Sequence, residues 1–292
     1  MNIQSISIVV STHSCVNNCK FCVSKMHEND FENIFDYFQI EKRIKWAVNN
    51  GVNTCIITGT GEALQNTAFL GKLANVFKKM DFPFPNVELQ TSGVMLNRTI
   101  ETLDETPCYP NINLLKSLGV NTISLSVSDV FNDDKNMDII GTPDKLKFKL
   151  TELTSLVKEK GFNLRLSLNM TNSYDDVAPF NLFRVFQILK SDQVTFRKLY
   201  HNGDMSFEQS KWVENNACKQ KTLDDINVYI QENGKPLYKL PFGATAYSLN
   251  GMSIVIDDNC MSKDEYDKLK YVILRENGKL YCQWDDYGSL IF

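Results

Sequence analysis

Six segments between residues 4 and 199 predict β-strands, and four of them alternate apolar and polar residues. They are QSISIVVS (4–11), TCIITG (54–59), NVELQTSG (86–93), NTISLSVSD (121–129), NLRLSLNM (163–170) and QVTFRKL (193–199). Successive side chains of a strand point to opposite faces of its sheet. The first, third, fourth and fifth segments therefore place polar residues on one face and apolar residues on the other.

Segments with an apolar residue every three or four positions lie between these strands and predict helices. They are IEKRIKWAVNNG (40–51), NTAFLGKLANVFKKM (66–80), TPDKLKFKLTELTSLVKEKG (142–161) and VAPFNLFRVFQILK (177–190). In the third, we expect Thr142 to cap the helix, Pro143 to take its first position and Gly161 to follow its end. Alternating strands and helices indicate an α/β fold with a parallel sheet and right-handed crossovers.

One face of the predicted sheet is polar. Its residues are Ser5, Ser7, Glu88, Gln90, Ser92, Ser124, Ser126, Ser128, Arg165, Ser167 and Asn169. A parallel sheet covered by helices on both faces would instead have continuous apolar strands. The pattern predicts a curved parallel sheet around a polar cavity. The alternative is that these polar residues lie at exposed strand ends.

Composition and charge argue against several classes of protein. The chain has 292 residues, of which 43% are hydrophobic, enough for one large core or a large domain with an appendage. A net charge of −4 gives no basic surface for nucleic acid. Apolar runs such as ISIVV are too short to span a bilayer, and no secretory signal is visible. We expect a cytoplasmic protein with reduced thiols.

Three of the eight cysteines lie within eight positions, directly after the first predicted strand. Cys15, Cys19 and Cys22 have the spacing C-x3-C-x2-C, and Phe21 precedes the last of them. The loops after barrel strands carry the active sites of α/β barrels. This position makes the three thiols candidates for chemistry.

The cysteine cluster has more than one interpretation. A disulfide is disfavoured where thiols stay reduced. Zinc needs four ligands, and His13 or His27 is the available fourth. Three thiolates also suit an iron–sulfur cluster that keeps one corner open, because soft thiolates bind both zinc and iron–sulfur centres.

The spacing C-x3-C-x-aromatic-C after a first strand resembles the signature of radical S-adenosylmethionine (SAM) enzymes. GTGEAL after the second strand resembles the family's G-G-E segment, with Thr60 in place of the second glycine. VELQTSG, ISLSVSD, LRLSLNM and VTFRKL resemble the third to sixth strands, in the expected order. The resemblance covers residues 3–200.

The resemblance implies a partial (βα)6 TIM-like barrel of parallel strands over residues 1–200. It implies one 4Fe–4S cluster, with Cys15, Cys19 and Cys22 as ligands and SAM on the open iron. The reduced cluster would cleave SAM to a 5′-deoxyadenosyl radical that takes hydrogen from a substrate. An electron donor such as flavodoxin or ferredoxin is implied as a partner.

The residues that the resemblance assigns to SAM are Phe21, Gly59, Gly61, Glu62, Ser124, Ser126 and Asn169. Glu62 would accept from the SAM ammonium group. Ser124 and Ser126 would reach the methionyl or ribose groups, Asn169 the ribose, and Phe21 the adenine. Structural roles stay open: the serines could bond neighbouring strands, and Asn169 could cap a loop.

Residues 201–292 are predicted to form a small α+β extension that caps the barrel. Two Asn-Gly pairs, at 250–251 and 277–278, lie between strand-like runs and predict hairpins. We expect Tyr281, Trp284 and Asp285 to contact the substrate; the alternative is a hairpin that packs on itself. The isolated residues Cys218, Cys260 and Cys282 are expected to be ordinary thiols that hold no second cluster.

The substrate is less clearly specified. Arg165 and Arg197 could hold a phosphate or carboxylate, which favours a small anionic metabolite, nucleoside or nucleotide; Arg165 could instead pair with Glu88. The element order resembles molybdopterin-type cyclases, but their Gly-Gly tail and second-cluster cysteines are absent. A first strand near residue 3 suggests no leader-binding domain, so a peptide ranks behind a small molecule. A glycyl-radical activase and a metal-bound structural or sensing protein are further alternatives.

Overall fold

The computed structural model describes residues 3–12, 14–26, 35–99, 108–239, 244–257, 269–284 and 286–292. The chain divides into two compact units. Unit 1 comprises Met1–Val16, Asn29–Ile123 and Lys263–Phe292, and unit 2 comprises Asn17–Glu28 and Ser124–Ser262. The domain boundary predicted at residue 200 stays a prediction; residue 200 lies within unit 2.

Strands and helices alternate over most of the described chain. The strands are β1 (Ser5–Val10), β2 (Thr54–Gly59), β3 (Asn86–Thr91), β4 (Thr122–Val127), β5 (Asn163–Met170), β6 (Gln193–Lys198), β7 (Lys235–Lys239), β8 (Thr245–Leu249), β9 (Met252–Asp257), β10 (Tyr271–Leu274) and β11 (Leu280–Tyr281). The α-helices are α1 (Tyr37–Asn49), α2 (Thr67–Lys79), α3 (Pro110–Ser117), α4 (Asp133–Ile140), α5 (Leu150–Glu159), α6 (Pro179–Ile188), α7 (Glu208–Asn216) and α8 (Gln220–Asn233). No helix in the described part of the chain is both long and apolar enough to cross a membrane.

In unit 1 the strand order is β11-β10-β1-β2-β3, and β10, β1, β2 and β3 run parallel. Only β11 in this set is antiparallel to its neighbour, β10. Helix α1 buries Ile40, Ile44 and Ala47, the spacing that the sequence predicted. Asn66 caps α2 by accepting from the Phe69 amide at 3.0 Å, and its side-chain amide donates to the Ser11 carbonyl at 3.0 Å. One residue thus starts the helix and fixes the chain just after β1.

In unit 2 the strand order is β4-β5-β6-β9-β8-β7. β5, β6 and β9 run parallel, whereas β8 is antiparallel to β9 and β7 to β8. Among the described strands, β11 in unit 1 and β7 in unit 2 each have one neighbour, so the sheet is open. The predicted α/β fold with a mostly parallel sheet is confirmed.

Both predicted hairpins are present. Asn250 and Gly251 join β8 to β9 with positive φ angles of 53° and 79°, as a tight two-residue turn requires. Gly278, with a φ angle of 72°, lies in the turn between β10 and β11. Two strands from the predicted C-terminal extension join the parallel part of the sheet: β10 pairs parallel with β1, and β9 with β6.

The helix predicted over residues 142–161 begins later than expected. A 3-10 turn spans Asp144–Leu146, and α5 starts only at Leu150. The Asp133 carboxylate accepts from the Leu150 amide at 3.1 Å and so caps the start of the helix from α4. The Thr142 hydroxyl donates instead to Asn17 Oδ1 at 3.3 Å. Thr142 therefore holds the segment between the cysteines and does not cap α5.

Gly141 fixes the same segment in unit 2. It ends α4 in the left-handed conformation, with a φ angle of 62°. Its carbonyl accepts from the Asn18 amide at 3.1 Å, while the Ile139 carbonyl accepts from the Lys20 amide at 3.0 Å. A Cβ atom at position 141 would lie 2.7 Å from the Asn18 carbonyl carbon and collide with its oxygen. Only glycine fits, because both the backbone angle and the contact exclude a side chain.

We predict that Gly141→Ala destabilises the fold more than Gly161→Ala. Both glycines have positive φ angles at a helix end, but a Cβ atom at Gly161 meets nothing within 4 Å. Gly161→Ala should cost about 1–2 kcal/mol of unfolding free energy from backbone strain alone. Gly141→Ala adds the collision with Asn18. Urea denaturation of both variants measures the difference, and equal losses would contradict the packing role of Gly141.

Candidate functional site

The cysteine segment follows β1. Cys15 belongs to unit 1, whereas Cys19 and Cys22 belong to unit 2. All three are partly buried thiols, not halves of disulfides, in the described structure. The Cys22 amide donates to the Cys19 carbonyl at 3.3 Å, which places these two on one turn. Three accessible soft donors on one short segment suit an iron–sulfur cluster chemically.

The described residues contain no preassembled group of three or more His, Cys, Asp and Glu side chains arranged for a metal ion. The assignment of Cys15, Cys19 and Cys22 as metal ligands therefore rests on donor chemistry and spacing. His13 and His27, the candidate fourth ligands for zinc, lie outside the described residues.

The glycines of the GTGE segment pack closely against the end of β1 in unit 1. A Cβ atom at Gly59 would lie 2.6 Å from the Val10 carbonyl oxygen. One at Gly61 would overlap the Thr12 hydroxyl and lie 3.4 Å from the Cys15 Cβ atom. The segment therefore has no room for side chains at these positions, whereas Thr60, between them, is accommodated. Cofactor binding by Gly59 and Gly61 stays a prediction beside this packing role.

Glu62 joins the ends of β2 and β3. Its buried carboxylate accepts from the Thr91 hydroxyl at 2.7 Å, the Ser92 hydroxyl at 2.6 Å and the Ser92 amide at 3.0 Å. The Leu64 amide adds a longer bond of 3.4 Å. A carboxylate offers about four acceptor positions. Donors from the protein itself therefore occupy all the acceptor positions of Glu62. The prediction that Glu62 binds the SAM ammonium group stays untested, but its described contacts are structural.

In unit 2, the polar residues at the ends of β4 and β5 meet. The Asn169 side-chain amide donates to Ser126 Oγ at 2.9 Å and to Ser128 Oγ at 3.2 Å. The Ser124 hydroxyl is buried and has no hydrogen-bond partner among the described residues. The structure therefore brings Ser126 and Asn169 together, and their binding of SAM stays a prediction.

Sequence reasoning missed the residues that support this pair. Asn136 in α4 accepts from the Ser128 amide at 2.8 Å and the Asp129 amide at 3.3 Å. The Thr171 hydroxyl donates to the Ser128 carbonyl at 2.9 Å. These bonds hold the end of β4 in place. The only sequence signal was a run of polar residues after a strand, which is too general to identify them.

The two predicted anion-binding arginines occupy different positions along paired strands. Arg165 Nε donates to Gln193 Oε1 at 2.8 Å, where β6 begins. Arg197 pairs in register with Asn169, four residues further along. Its Nε atom is buried and lacks a partner within the described chain. Arg197 therefore lies beside the Ser126–Asn169 pair, whereas Arg165 lies towards the other end of β5.

The aromatic candidates contact protein side chains. The Phe21 ring lies 6.1 Å from the Trp212 ring of α7. The Arg275 guanidinium lies against both the Tyr281 and Tyr287 rings, 4.7 and 4.5 Å from their centres, and donates to the Trp284 carbonyl. These contacts favour the alternative that this hairpin packs on itself. Asp285 lies outside the described residues.

Glu276 is a buried carboxylate that the sequence did not single out. It follows β10 in unit 1 and is 3% exposed. Burial raises the pKa of Glu276, although a hydrogen bond from the Thr60 side chain and the charge of Arg275 oppose the shift. Its position next to an Asn-Gly turn masked it, because a glutamate there is typical of an exposed hairpin.

Comparison with known protein families gives a match over a large part of this chain. Residues 9–177, more than half of the chain, match the Radical SAM superfamily. A search of curated protein sequences found no match.

Solved structures show a similar fold at low sequence identity. Native anSMEcpe with bound AdoMet has a TM-score of 0.61 at 14% identity, covering 99% of this chain and 77% of that one. Streptococcus suis SuiB bound to precursor peptide SuiA has a TM-score of 0.60 at 14% identity, covering 96% and 59%. Methylornithine synthase (PylB) has a TM-score of 0.53 at 11% identity, covering 77% and 62%.

The chain thus spans less than two thirds of the lengths of SuiB and PylB. At these identities the structural likeness shows the fold: α/β, with an open, mostly parallel sheet. The sequence match extends from β1 through the cysteine segment to the end of β5. This chain belongs to the radical SAM superfamily.

Proposed function

We propose that this chain is a radical SAM enzyme that binds one 4Fe–4S cluster through Cys15, Cys19 and Cys22. The observation that carries the proposal is the family match over residues 9–177, which contains all three thiols at the family's spacing after β1. Their partial exposure leaves them accessible to iron. Three thiolates leave one iron site for a further ligand, which SAM would fill.

When bound, the cluster and SAM would together supply a one-electron reductive cleavage of SAM. The organic radical released from SAM would then take a hydrogen atom from the substrate. A small electron-transfer protein such as flavodoxin or ferredoxin would supply the electron. The tight packing of Gly59 and Gly61 keeps the segment after β2 next to Cys15. The protein thereby fixes the backbone beside the first of the three thiols.

Ser126 and Asn169 are proposed to hold the ribose of SAM. Because Asn169 uses its N–H groups on Ser126 and Ser128, its side-chain oxygen would be the group that accepts from a ligand. The two serine hydroxyls accept from Asn169 and can donate their own hydrogens. A mixed set of donors and acceptors suits vicinal hydroxyl groups, which both donate and accept. The partnerless Ser124 hydroxyl extends this set along β4.

The proposed substrate is a small anionic metabolite, nucleoside or nucleotide. Arg197 supports this choice, because a buried guanidinium N–H without a partner costs free energy until an acceptor binds. Its register position beside Asn169 would place the anion near the ribose site.

A peptide substrate is the second candidate. The SuiB structure is bound to a precursor peptide, and another anSMEcpe structure, with a TM-score of 0.55 at 12% identity, contains a peptide. In this chain, β7 is exposed along its whole length and pairs with β8 on one side. An extended peptide can add to such an edge strand through main-chain hydrogen bonds.

The cluster assignment predicts the effect of cysteine substitution. Anaerobically purified protein should be brown and contain about four iron atoms per chain. Replacing Cys15, Cys19 and Cys22 together with alanine should abolish both. The control is replacement of Cys218, Cys260 and Cys282 with serine, which should leave the iron content unchanged. Stoichiometric zinc after iron–sulfide reconstitution, or iron near eight that halves in the control variant, would refute the single-cluster assignment.

The ribose site predicts weaker SAM binding in Asn169→Ala. Loss of a buried hydrogen-bonding group should raise the Kd for SAM about tenfold, which corresponds to about 1.4 kcal/mol. Iron content should not change. Asn163→Ala, at the exposed start of the same strand, is the matched control and should bind SAM normally. Calorimetric titration of both reconstituted variants measures the Kd for SAM. Equal affinities would show that Asn169 does not bind SAM.

The proposed activity predicts release of 5′-deoxyadenosine from SAM by the reduced protein. The assay should be run with and without a cell metabolite extract, and in parallel with a peptide digest. Deuterium transferred into 5′-deoxyadenosine from a labelled extract would identify the substrate fraction. S-adenosylhomocysteine as the sole product would indicate polar methyl transfer. Bound metal without SAM binding would indicate a structural or sensing protein.

A further inference from the structure

We propose that Glu276, in the C-terminal hairpin of unit 1, is a further SAM-binding residue whose carboxylate accepts a hydrogen bond from the SAM α-amino group. This inference rests on the proposed function, because it requires that SAM binds beside the GTGE segment. It assigns a role to a residue outside the matched range 9–177.

The first argument is an unsatisfied acceptor. Glu276 is 3% exposed, and its Oε1 atom is fully buried without a hydrogen-bond partner among the described residues. Buried polar atoms in native proteins nearly always have partners, so an exception requires an explanation. A carboxylate oxygen needs a donor, and an amino N–H group of a ligand is one.

The second argument is position. Leu274 at the end of β10 pairs with Ile8 of β1, which pairs with Ile57 of β2. Parallel strands end at the same edge, so the residues after β10 emerge beside those after β1 and β2. Accordingly, the Thr60 side chain lowers the pKa of Glu276 against the effect of burial, as a neighbour of the carboxylate does. The next residue, Gly61, packs against Cys15.

A second unpartnered group lies in the same place. The Thr12 Oγ1 atom is buried and has no partner in the described chain, and it lies against Gly61. An α-amino acid carries an amino group and a carboxylate side by side. Glu276 can accept from the first, and the Thr12 hydroxyl can donate to the second. Two unpartnered polar atoms near Thr60 and Gly61 thus match the amino group and the carboxylate of one α-amino acid.

The third argument is that the neighbouring charges are already engaged. Glu62, the acidic residue of the GTGE segment, already accepts hydrogen bonds from Thr91, Ser92 and Leu64. Arg275 packs against the Tyr281 and Tyr287 rings and donates to the carbonyls of Gln283 and Trp284. Glu276 therefore offers an acceptor that Glu62 does not, and Arg275 has its hydrogen bonds elsewhere.

The test is SAM binding to reconstituted Glu276→Gln protein, measured by anaerobic calorimetric titration without reductant. Glutamine keeps the shape of the side chain but removes the charge, so the Kd for SAM should rise about tenfold or more. 5′-Methylthioadenosine lacks the amino acid group of SAM, and its Kd should not change. Glu41→Gln, which removes an acidic residue committed to Lys45 and Lys79 on the surface, is the matched control and should bind SAM normally.

The outcomes separate this inference from the proposed function. If the unaltered protein binds no SAM, the proposed function fails. If it binds SAM and Glu276→Gln binds equally well, or loses SAM and 5′-methylthioadenosine affinity to the same extent, the role of Glu276 is wrong. Iron content and thermal unfolding of the variant must match those of the unaltered protein. If glutamine lowers either one, Glu276→Asp is used instead; its carboxylate is one methylene group shorter and should not reach the SAM amino group, so normal SAM binding by this variant overturns the assignment.

Discussion

Buried polar side chains must find hydrogen-bond partners, and this constraint organises the carboxyl ends of the strands in both units. In unit 1, the Glu62 carboxylate gathers Thr91 and Ser92 and so ties the end of β2 to the end of β3. In unit 2, Asn169 bonds Ser126 and Ser128 and ties β5 to β4. These hydrogen bonds satisfy polar side chains that would otherwise be costly to bury, and they fix the positions of the strand ends. Thr12, Ser124, Arg197 and Glu276 carry buried polar atoms that lack partners among the described residues, and these atoms are open to a ligand.

The sequence predicted the elements that depend on local periodicity. The six strands from β1 to β6 lie within a few residues of their predicted positions, because alternation identifies a strand wherever its partners lie. It did not predict that β10 would pair with β1, because pairing over more than 250 residues leaves no local pattern. The start of α5 was misplaced for a related reason. The residue that caps it, Asp133, belongs to another helix.

The candidate site was predictable where one short segment carries the signal. The spacing of Cys15, Cys19 and Cys22 and the order of the later strand motifs indicated the family, and the match over residues 9–177 confirmed it. The role of Glu62 as a tie could not be read from the sequence, since an acidic residue after a glycine suits a ligand contact and a cross-strand contact equally well. Only the distances to Thr91 and Ser92 distinguish these roles.

The C-terminal hairpin shows how packing on itself can serve a site. The Arg275 guanidinium lies against both the Tyr281 and the Tyr287 ring, and the carbonyls of Gln283 and Trp284 accept from it. Glu276 is the next residue, in the turn after β10, so anchoring Arg275 also fixes the backbone that carries the Glu276 side chain. On the proposed role of Glu276, the aromatic residues would act on the site indirectly, by fixing the segment that carries the carboxylate. A hairpin that packs on itself would then also serve the site.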